Sequence, residues 1–399
     1  MSTTTERMRA WRGPAIFTYG FRPFFLGAAV WAGLAMALWV PMLSGHLVLP
    51  IAFDPVSWHA HELIFGYLTA VVAGFLMTAV PNWTGRLPIV GWPLAGLFAL
   101  WLVGRVAVAV SAGLPATLVA VLDLAFGVVF TAFIAREIVA GRNWRNLIVL
   151  AMLSVLVAAN AVFHWEAATG AYAAQGMGAR LGPGAGIMMI AVIGGRIVPS
   201  FTRNWLVKRG AQSLPAPPMQ GFDKLALGVL LVALLAWLAA PQGMLAAGAL
   251  LLAGALHLAR LARWCGHRTT AEPLLLILHV GYAFVPLGAL ALGAAILRPD
   301  LILPSSAQHL WMIGAIGVMT LAVMTRATLG HMDRPLTAGA GTVAIYLLVI
   351  LAALARIVAG VLPGEAALLQ SLSGLAWIAA MAGFAVLYGR LLLRPKDWG

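Results

Sequence analysis

The chain has 399 residues, of which 62% are hydrophobic and only 9% are charged. A soluble globular protein carries roughly 25% charged residues, so this composition excludes that class and indicates an integral membrane protein. The formal net charge of +13 does not indicate a nucleic-acid partner, because the basic residues lie in the loops between apolar runs. Contact with anionic membrane lipids accounts for such loops.

The apolar runs predict an all-α, polytopic membrane helix bundle of about 12 transmembrane helices, each near the roughly 20 residues that a bilayer requires. Basic residues concentrate in alternate loops, as the positive-inside rule describes, so both termini are expected in the cytoplasm. The predicted spans are residues 23–43, 57–81, 91–111, 115–138, 146–168, 184–201, 224–240, 242–263, 272–296, 307–329, 340–361 and 367–391.

No linker divides the chain, and we predict one integral-membrane domain over residues 1–399. A faint repeat recurs at a spacing of four helices, because the second, sixth and tenth spans end in similar residues around Val80, Val198 and Val323. This pattern predicts three four-helix repeats at roughly 20–140, 145–265 and 270–391.

Two imidazoles and a carboxylate open the second span, at His59, His61 and Glu62. Such groups cost several kcal/mol in a membrane helix unless a metal, a haem or a proton path uses them. Residues two apart point about 200° apart on a helix, so the two histidines can hold one ion only at a frayed first turn. Glu62 is predicted either to orient an imidazole or to carry protons. His309 and His164 lie toward the same outer face.

The hairpin of the third and fourth spans predicts a buried ion pair. Residues equidistant from its turn near Leu114 lie at equal depth, which puts Arg105 level with Asp123. Pairing removes the cost that each charge would carry alone.

The ninth and tenth spans offer a second pair of histidines. His279 lies within the ninth span, and His331 lies about 9 Å deeper toward the cytoplasm at 1.5 Å per residue, a separation compatible with two axial haem ligands. Arg326 is predicted to meet a haem propionate, and Arg196 is either a second contact to the same anionic group or a snorkelling residue. The single cysteine, Cys265, excludes a Cys-x-x-Cys-His attachment motif, so a haem would be held non-covalently, as haem b.

Several motifs together resemble the NnrS family. They are Trp58 to Glu62, Gly74 to Gly85, Gly195 to Asn204, Leu278 to Tyr282, and Met319 to His331. The resemblance covers nearly the whole chain, but His331 is followed here by Met332-Asp333-Arg334, where the family often reads Thr-Gly-Arg.

The resemblance implies a multi-pass protein of the bacterial inner membrane that contains haem and copper and is linked to nitric-oxide metabolism. By this resemblance, five histidines are expected to be metal ligands: His59, His61, His279, His309 and His331. Our interpretation assigns copper to His59, His61 and His309, and haem to His279 and His331.

The favoured hypothesis is a protein that reduces nitric oxide or protects against it, with Glu62 as proton carrier and quinol or a separate protein as electron donor. The alternative is a proton-coupled secondary transporter of a small anionic substrate, in which the histidines form a relay and Arg196 binds the substrate. A third hypothesis is a non-catalytic factor that shields metalloenzymes from nitric oxide.

Overall fold

The computed structural model describes residues 6, 10–86 and 88–396 of the chain. Arg7 and Arg9, which extend the basic N-terminal segment, lie outside these residues. The described part contains no strand and has 12 helices long and apolar enough to cross a membrane. The predicted class and number of spans are therefore confirmed. The helices are α1 Phe21–Leu43, α2 Pro55–Thr84, α3 Trp92–Ala109, α4 Ala116–Ala140, α5 Trp144–Ala168, α6 Met177–Val207, α7 Gly221–Ala239, α8 Met244–Arg268, α9 Pro273–Leu297, α10 Pro304–His331, α11 Ala340–Val358 and α12 Pro363–Leu393.

The start of α6 differs from the predicted one, since the helix begins at Met177 and not at residue 184. The Glu166 carboxylate at the end of α5 accepts hydrogen bonds from the Met177 and Gly178 amides, at 2.6 and 3.1 Å. These are among the first amides of a helix, which lack partners within it and favour a negative charge. Residues 177–183, a glycine-rich stretch that the predicted span excludes, therefore belong to the helix.

The start of α2 is defined by its capping residues. The Asp54 side chain accepts hydrogen bonds from the Val56 and Ser57 amides at 3.0 Å each, and Pro55 occupies the first helical turn. An aspartate cap followed by proline is a favourable helix start. His59 and His61 consequently lie on a regular helix and not at a frayed end.

Three helices contain π-helical segments, in which the turn is wider than in an α-helix. The segments are Glu62–Leu68 in α2, Ile190–Gly194 in α6 and Leu310–Val318 in α10. These three helices are also deeply buried: in an apolar stretch of 18 residues of each, 78%, 67% and 72% of the residues are buried. Segments of this type are rare and are found mostly at functional sites.

The chain forms two compact units. The first comprises the described residues of Met1–Ala185, Ala327–Arg334 and Met381–Gly399, and the second comprises Gly186–Arg326 and Pro335–Ala380. In the first unit, α1 packs on α2, α3 on α4, and α4 on α5. In the second unit, neighbouring helices from α7 to α10 pack in succession, and α11 packs on α10. The predicted single domain and its four-helix repeats stay a prediction.

Candidate metal centre

His61 is the central side chain of a buried polar cluster in the first unit. It is fully buried, and its Nδ1 lies 2.9 Å from Glu62 Oε1. Its Nε2 lies 3.1 Å from Asp123 Oδ2 on α4 and 3.0 Å from Asn160 Oδ1 on α5. Three helices therefore meet at one imidazole.

Two residues of α5 complete this cluster. His164 Nε2 lies 3.0 Å from Asp123 Oδ2, and the Asn160 side-chain amide donates to the same oxygen at 2.7 Å. The two residues are four apart, so they lie on one face of α5. The Asp123 carboxylate thus gathers polar groups from α2 and α5 around a single oxygen.

Arg105 of α3 links the two carboxylates of the cluster. One of its nitrogens donates to Glu62 Oε2 at 2.6 Å, and another pairs with Asp123 Oδ1. The predicted Arg105–Asp123 pair is therefore confirmed. The Trp31 indole also donates to Glu62 Oε2 at 2.6 Å, so that carboxylate receives hydrogen bonds from two other side chains besides His61.

The hydrogen bonds around His61 favour a positive charge there. Ionised carboxylates accept only, and Asn160 uses its nitrogen on Asp123, so both imidazole nitrogens face acceptor atoms. With Arg105 positive and Glu62 and Asp123 negative, the group has one excess negative charge. Either a second proton on the imidazole or a metal ion at Nε2 balances that charge.

The cluster also has the composition of a metal site. His61, Asp123 and His164 each offer one ligand atom, and these atoms lie within 4.8 Å of one another. Among the described residues no other group of three histidine, cysteine or acidic residues meets this distance. Imidazole nitrogen and carboxylate oxygen are ordinary ligands of first-row transition metals.

Aromatic rings close the site against water. Phe53, Phe65 and Phe163 pack around His61, with ring centroids 5.3, 5.4 and 5.4 Å from the imidazole. Gly66 makes room for the polar atoms, since a Cβ there would lie 2.6 Å from Arg105 Nη1. Electrostatic interactions in such an enclosed site are stronger than in water.

The other two predicted copper ligands have contacts of their own. His59 stacks on Trp39, with ring centroids 4.1 Å apart, and is not one of the three residues whose ligand atoms converge at His61. His309 contacts the Ser305 carbonyl oxygen through Nδ1 at 2.6 Å. Because His309 belongs to the second unit, its place at a copper site shared with His61 stays a prediction.

His279 lies buried in the second unit beside α6. Its Nε2 is 2.8 Å from the Thr202 hydroxyl, which is itself bonded to the Val198 carbonyl. Its Nδ1 is buried with no hydrogen-bond partner and faces Gly266, where a Cβ would lie 2.7 Å from that nitrogen. The predicted haem ligand thus has one nitrogen without a partner.

His331 lies in the first unit, at the end of α10. Its ring packs between Tyr19 and Phe21, with centroids 5.5 Å away in both cases. Asp333, the residue that departs from the family pattern, pairs with Lys396 at 2.5 Å. Burial and the Asp333 carboxylate raise the pKa of the Tyr19 phenol. Because His279 and His331 belong to different units, their pairing stays a prediction.

The two predicted anion-binding arginines lie in the second unit. The Arg326 guanidinium stacks over the Phe201 ring, 4.3 Å from its centroid. Arg196 is half-buried on α6, and its carbonyl accepts a hydrogen bond from Ser200 at 2.6 Å. Their joint binding of an anionic group stays a prediction.

The second unit has a buried polar group of its own. Arg260 pairs with Asp223 at 2.7 Å and donates to the Tyr282 hydroxyl and to the Ala191 carbonyl. His257 also contacts the Tyr282 hydroxyl at 2.8 Å. Ala191 belongs to the π-helical segment of α6, so this network joins α6 to α7, α8 and α9.

Of the two α5 residues in the candidate metal centre, the sequence places His164 toward the same outer face as His61, whereas Asn160 is not predicted. Asp123 is predicted only as the partner of Arg105. The available signal was the four-residue spacing of Asn160 and His164 within an otherwise apolar helix. Polar residues at that spacing in a membrane span point to one buried face.

The fold and this cluster define a polytopic membrane protein with a candidate metal centre among α2, α4 and α5. The chain belongs to the NnrS family, since the family described as NnrS protein matches residues 15–396. No protein with a curated description matches the chain. Family membership supports a nitric-oxide-related membrane protein.

Proposed function

We propose that this protein binds a copper ion at His61, His164 and Asp123 and uses it to act on nitric oxide or to protect against it. The observation that carries the proposal is the convergence of three ligand atoms within 4.8 Å at a buried point where the hydrogen-bond pattern favours a cation. Enclosed, charged groups of this kind in a membrane interior are functional by default.

The residues present fit a copper ion. Two imidazole nitrogens and one carboxylate oxygen suit copper(II), and imidazole nitrogens also bind copper(I). Arg105 occupies only Asp123 Oδ1, whereas Oδ2 is the atom that faces both histidines. A monovalent ion at Nε2 would balance the excess negative charge as the second imidazole proton does, so metal uptake is expected to release a proton.

Glu62 is proposed to position His61. It accepts from Nδ1, which leaves Nε2 as the nitrogen available to a metal, and such carboxylate partners set the tautomer of metal-binding histidines. Trp31 and Arg105 hold the same carboxylate. A role of Glu62 as proton carrier stays a prediction.

A bound copper ion would supply a coordination site for nitric oxide and a one-electron redox couple. The chain contributes the surroundings of that site. Phe53, Phe65 and Phe163 exclude water, Arg105 offsets the two carboxylates, and Asn160 holds Asp123 in place. Reduction of nitric oxide would also need electrons, for which quinol or a separate donor protein is proposed.

A haem b at His279 is the second part of the proposal, and His331 as its second ligand stays a prediction because it belongs to the other unit. The buried Nδ1 of His279 without a partner supports it, because buried polar atoms are otherwise nearly always satisfied. The Gly266 backbone packs against that nitrogen, so haem binding there would require the turn to move. We derive no step through this group.

The test is the metal content of the purified protein and of single-histidine variants. We expect about one copper per chain, with two nitrogen ligands in the electron paramagnetic resonance spectrum of the oxidised form. His164→Ala and His61→Ala should each lose stoichiometric copper, because either change removes one of the two imidazole ligands. Optical spectra of the oxidised and reduced protein report haem in the same samples.

His309→Ala is the matched control, since His309 is also a membrane histidine but belongs to the second unit. Copper loss in His309→Ala with full retention in His164→Ala would contradict the proposed ligand set. A folded wild-type protein that binds neither copper nor haem would contradict the metal proposal altogether.

The alternative of a proton-coupled transporter of a small anion rests on the same charge balance, with a proton as the cation at His61. It predicts a colourless, metal-free protein in which His61→Ala abolishes proton-coupled uptake into vesicles. Metal content therefore separates the two functions.

A further inference from the structure

A small cavity adjoins the candidate metal centre in the first unit. Its polar end is formed by Arg105, Asp123 and Asn160, and its walls include Phe65, Trp101, Phe126 and Leu156. It has room for about one water-sized molecule. Apolar walls with one polar end suit a small uncharged molecule rather than an ion.

The open side of the cavity lies between α4 and α5. Of the residues that line it, Leu124 on α4 and Val157 on α5 are half-exposed, while the others are buried. Their neighbours Val121, Val128 and Val155 are exposed apolar side chains on the same two helices. This is the surface that membrane lipid would cover.

The opening also lies at the middle of the membrane. Gly127, which lines the cavity, is about 16 Å along α4 from Ala116 at 1.5 Å per residue, and the hydrocarbon core of a bilayer is about 30 Å thick. Val157 lies midway along α5. Ions and large polar molecules do not enter hydrocarbon at this depth, whereas small apolar gases dissolve in it.

We infer that this cavity is the entry and holding site for a small, uncharged, lipid-soluble molecule that reaches Asp123 through a gap between α4 and α5, with Gly127 setting its size. The inference rests on the proposed function for the identity of that molecule, nitric oxide. The assignment of the cavity as an entry site depends only on the geometry of its lining residues. A Cβ at Gly127 would lie 3.0 Å from Val157 Cγ2, so a larger side chain there fills the gap.

Xenon tests the cavity without any metal. Because xenon is larger than the water-sized wild-type cavity, it is tested in Leu156→Ala, which enlarges the cavity wall. Crystals of this variant under xenon pressure should show one xenon atom beside Trp101 and Phe126, and adding Gly127→Val should remove it. Adding Val128→Leu instead is the matched control, because Val128 is the next residue on α4 and is 55% exposed; it should retain the xenon atom. Absence of xenon from Leu156→Ala would overturn the inference.

A second comparison covers the case in which the protein carrying Gly127→Val does not fold. Xenon occupancy should be lower in the wild-type protein than in Leu156→Ala at the same pressure. Equal occupancy in the two proteins would contradict the assignment.

Access is tested by the rate at which nitric oxide binds the copper-loaded protein. Gly127→Val should slow association about tenfold, which corresponds to about 1.4 kcal/mol in the barrier, because its side chain narrows the gap beside Val157; copper content should be unchanged. An unchanged rate would overturn the access route. If xenon binds in Leu156→Ala but the wild-type protein binds no copper, the cavity assignment is supported and only the proposed function is wrong.

Discussion

Arg105 is the residue on which the electrostatics of the candidate metal centre depend. It is 3% exposed and pairs with two carboxylates from different helices. Removing one partner of a buried ion pair leaves an uncompensated charge, which costs more than the pair itself contributes. Arg105 therefore stabilises the junction of α2, α3 and α4 mainly by preventing repulsion between Glu62 and Asp123.

We expect Arg105→Met to lower the free energy of unfolding by about 3–5 kcal/mol, because two buried carboxylates would lose their counter-charge. Unfolding in a graded detergent series, followed by circular dichroism, measures the change. Arg298→Met is the control, since Arg298 pairs with Asp300 in an exposed loop and should have little effect. Equal effects of the two substitutions would contradict the buried role.

At this scale the sequence predicted the Arg105–Asp123 pair but not the partners of His61. In a helical hairpin, residues at the same distance from the turn lie at the same depth in the membrane. Counting residues from the turn therefore predicts the pairing between α3 and α4. The position of His164 and Asn160 around the axis of α5 depends on how that helix packs, which counting does not reveal.

The π-helical segments are the feature that distinguishes α2, α6 and α10 from the other helices. They occur at the four-helix spacing at which the sequence predicted a repeat. In each set of four spans the second is also the most buried. We propose on this support that the three sets descend from one four-helix unit, each with a widened turn in its inner helix.

Close packing of α5 and α6 is a second feature at the scale of elements. A Cβ at Gly178 would lie 2.6 to 2.8 Å from backbone atoms of Phe163 and Ala159. Glycine at helix contacts lets backbones approach in membranes. The position of α5, and with it that of Asn160 and His164, therefore depends on Gly178.

Gly178→Ala is expected to destabilise the protein by about 1–3 kcal/mol, because backbone atoms must move to admit the methyl group. Gly248→Ala is the matched control, since Gly248 lies within α8 and a Cβ there has no neighbour within 4 Å. That control should be neutral or stabilising by about 0.5–1 kcal/mol. Thermal unfolding of both variants measures these changes in stability. A Gly178→Ala protein as stable as the wild type would contradict the close contact.

At the scale of the whole molecule, the distribution of charge predicts the orientation in the membrane. Alternate loops carry the basic residues, so both termini and the loop after α8 are expected in the cytoplasm. The chain contains a single cysteine, Cys265, which is half-exposed at the end of α8. This residue is a native probe of sidedness.

We expect a membrane-impermeant maleimide to label Cys265 in inverted membrane vesicles and not in right-side-out vesicles. A Cys265→Ala, Val48→Cys variant should show the opposite pattern, because Val48 is 89% exposed in the loop between α1 and α2. Labelling of Cys265 from the outside would reverse the predicted topology.

The sequence by itself determined the membrane class, the number of spans and the pairing of Arg105 with Asp123 at one depth. Hydrophobic length and charge placement are local properties, so they do not depend on the fold. The tertiary structure decided which histidines converge, because that depends on the rotation of each helix about its axis. His61 meets Asp123 and His164, whereas His59, two residues earlier on the same helix, stacks on Trp39.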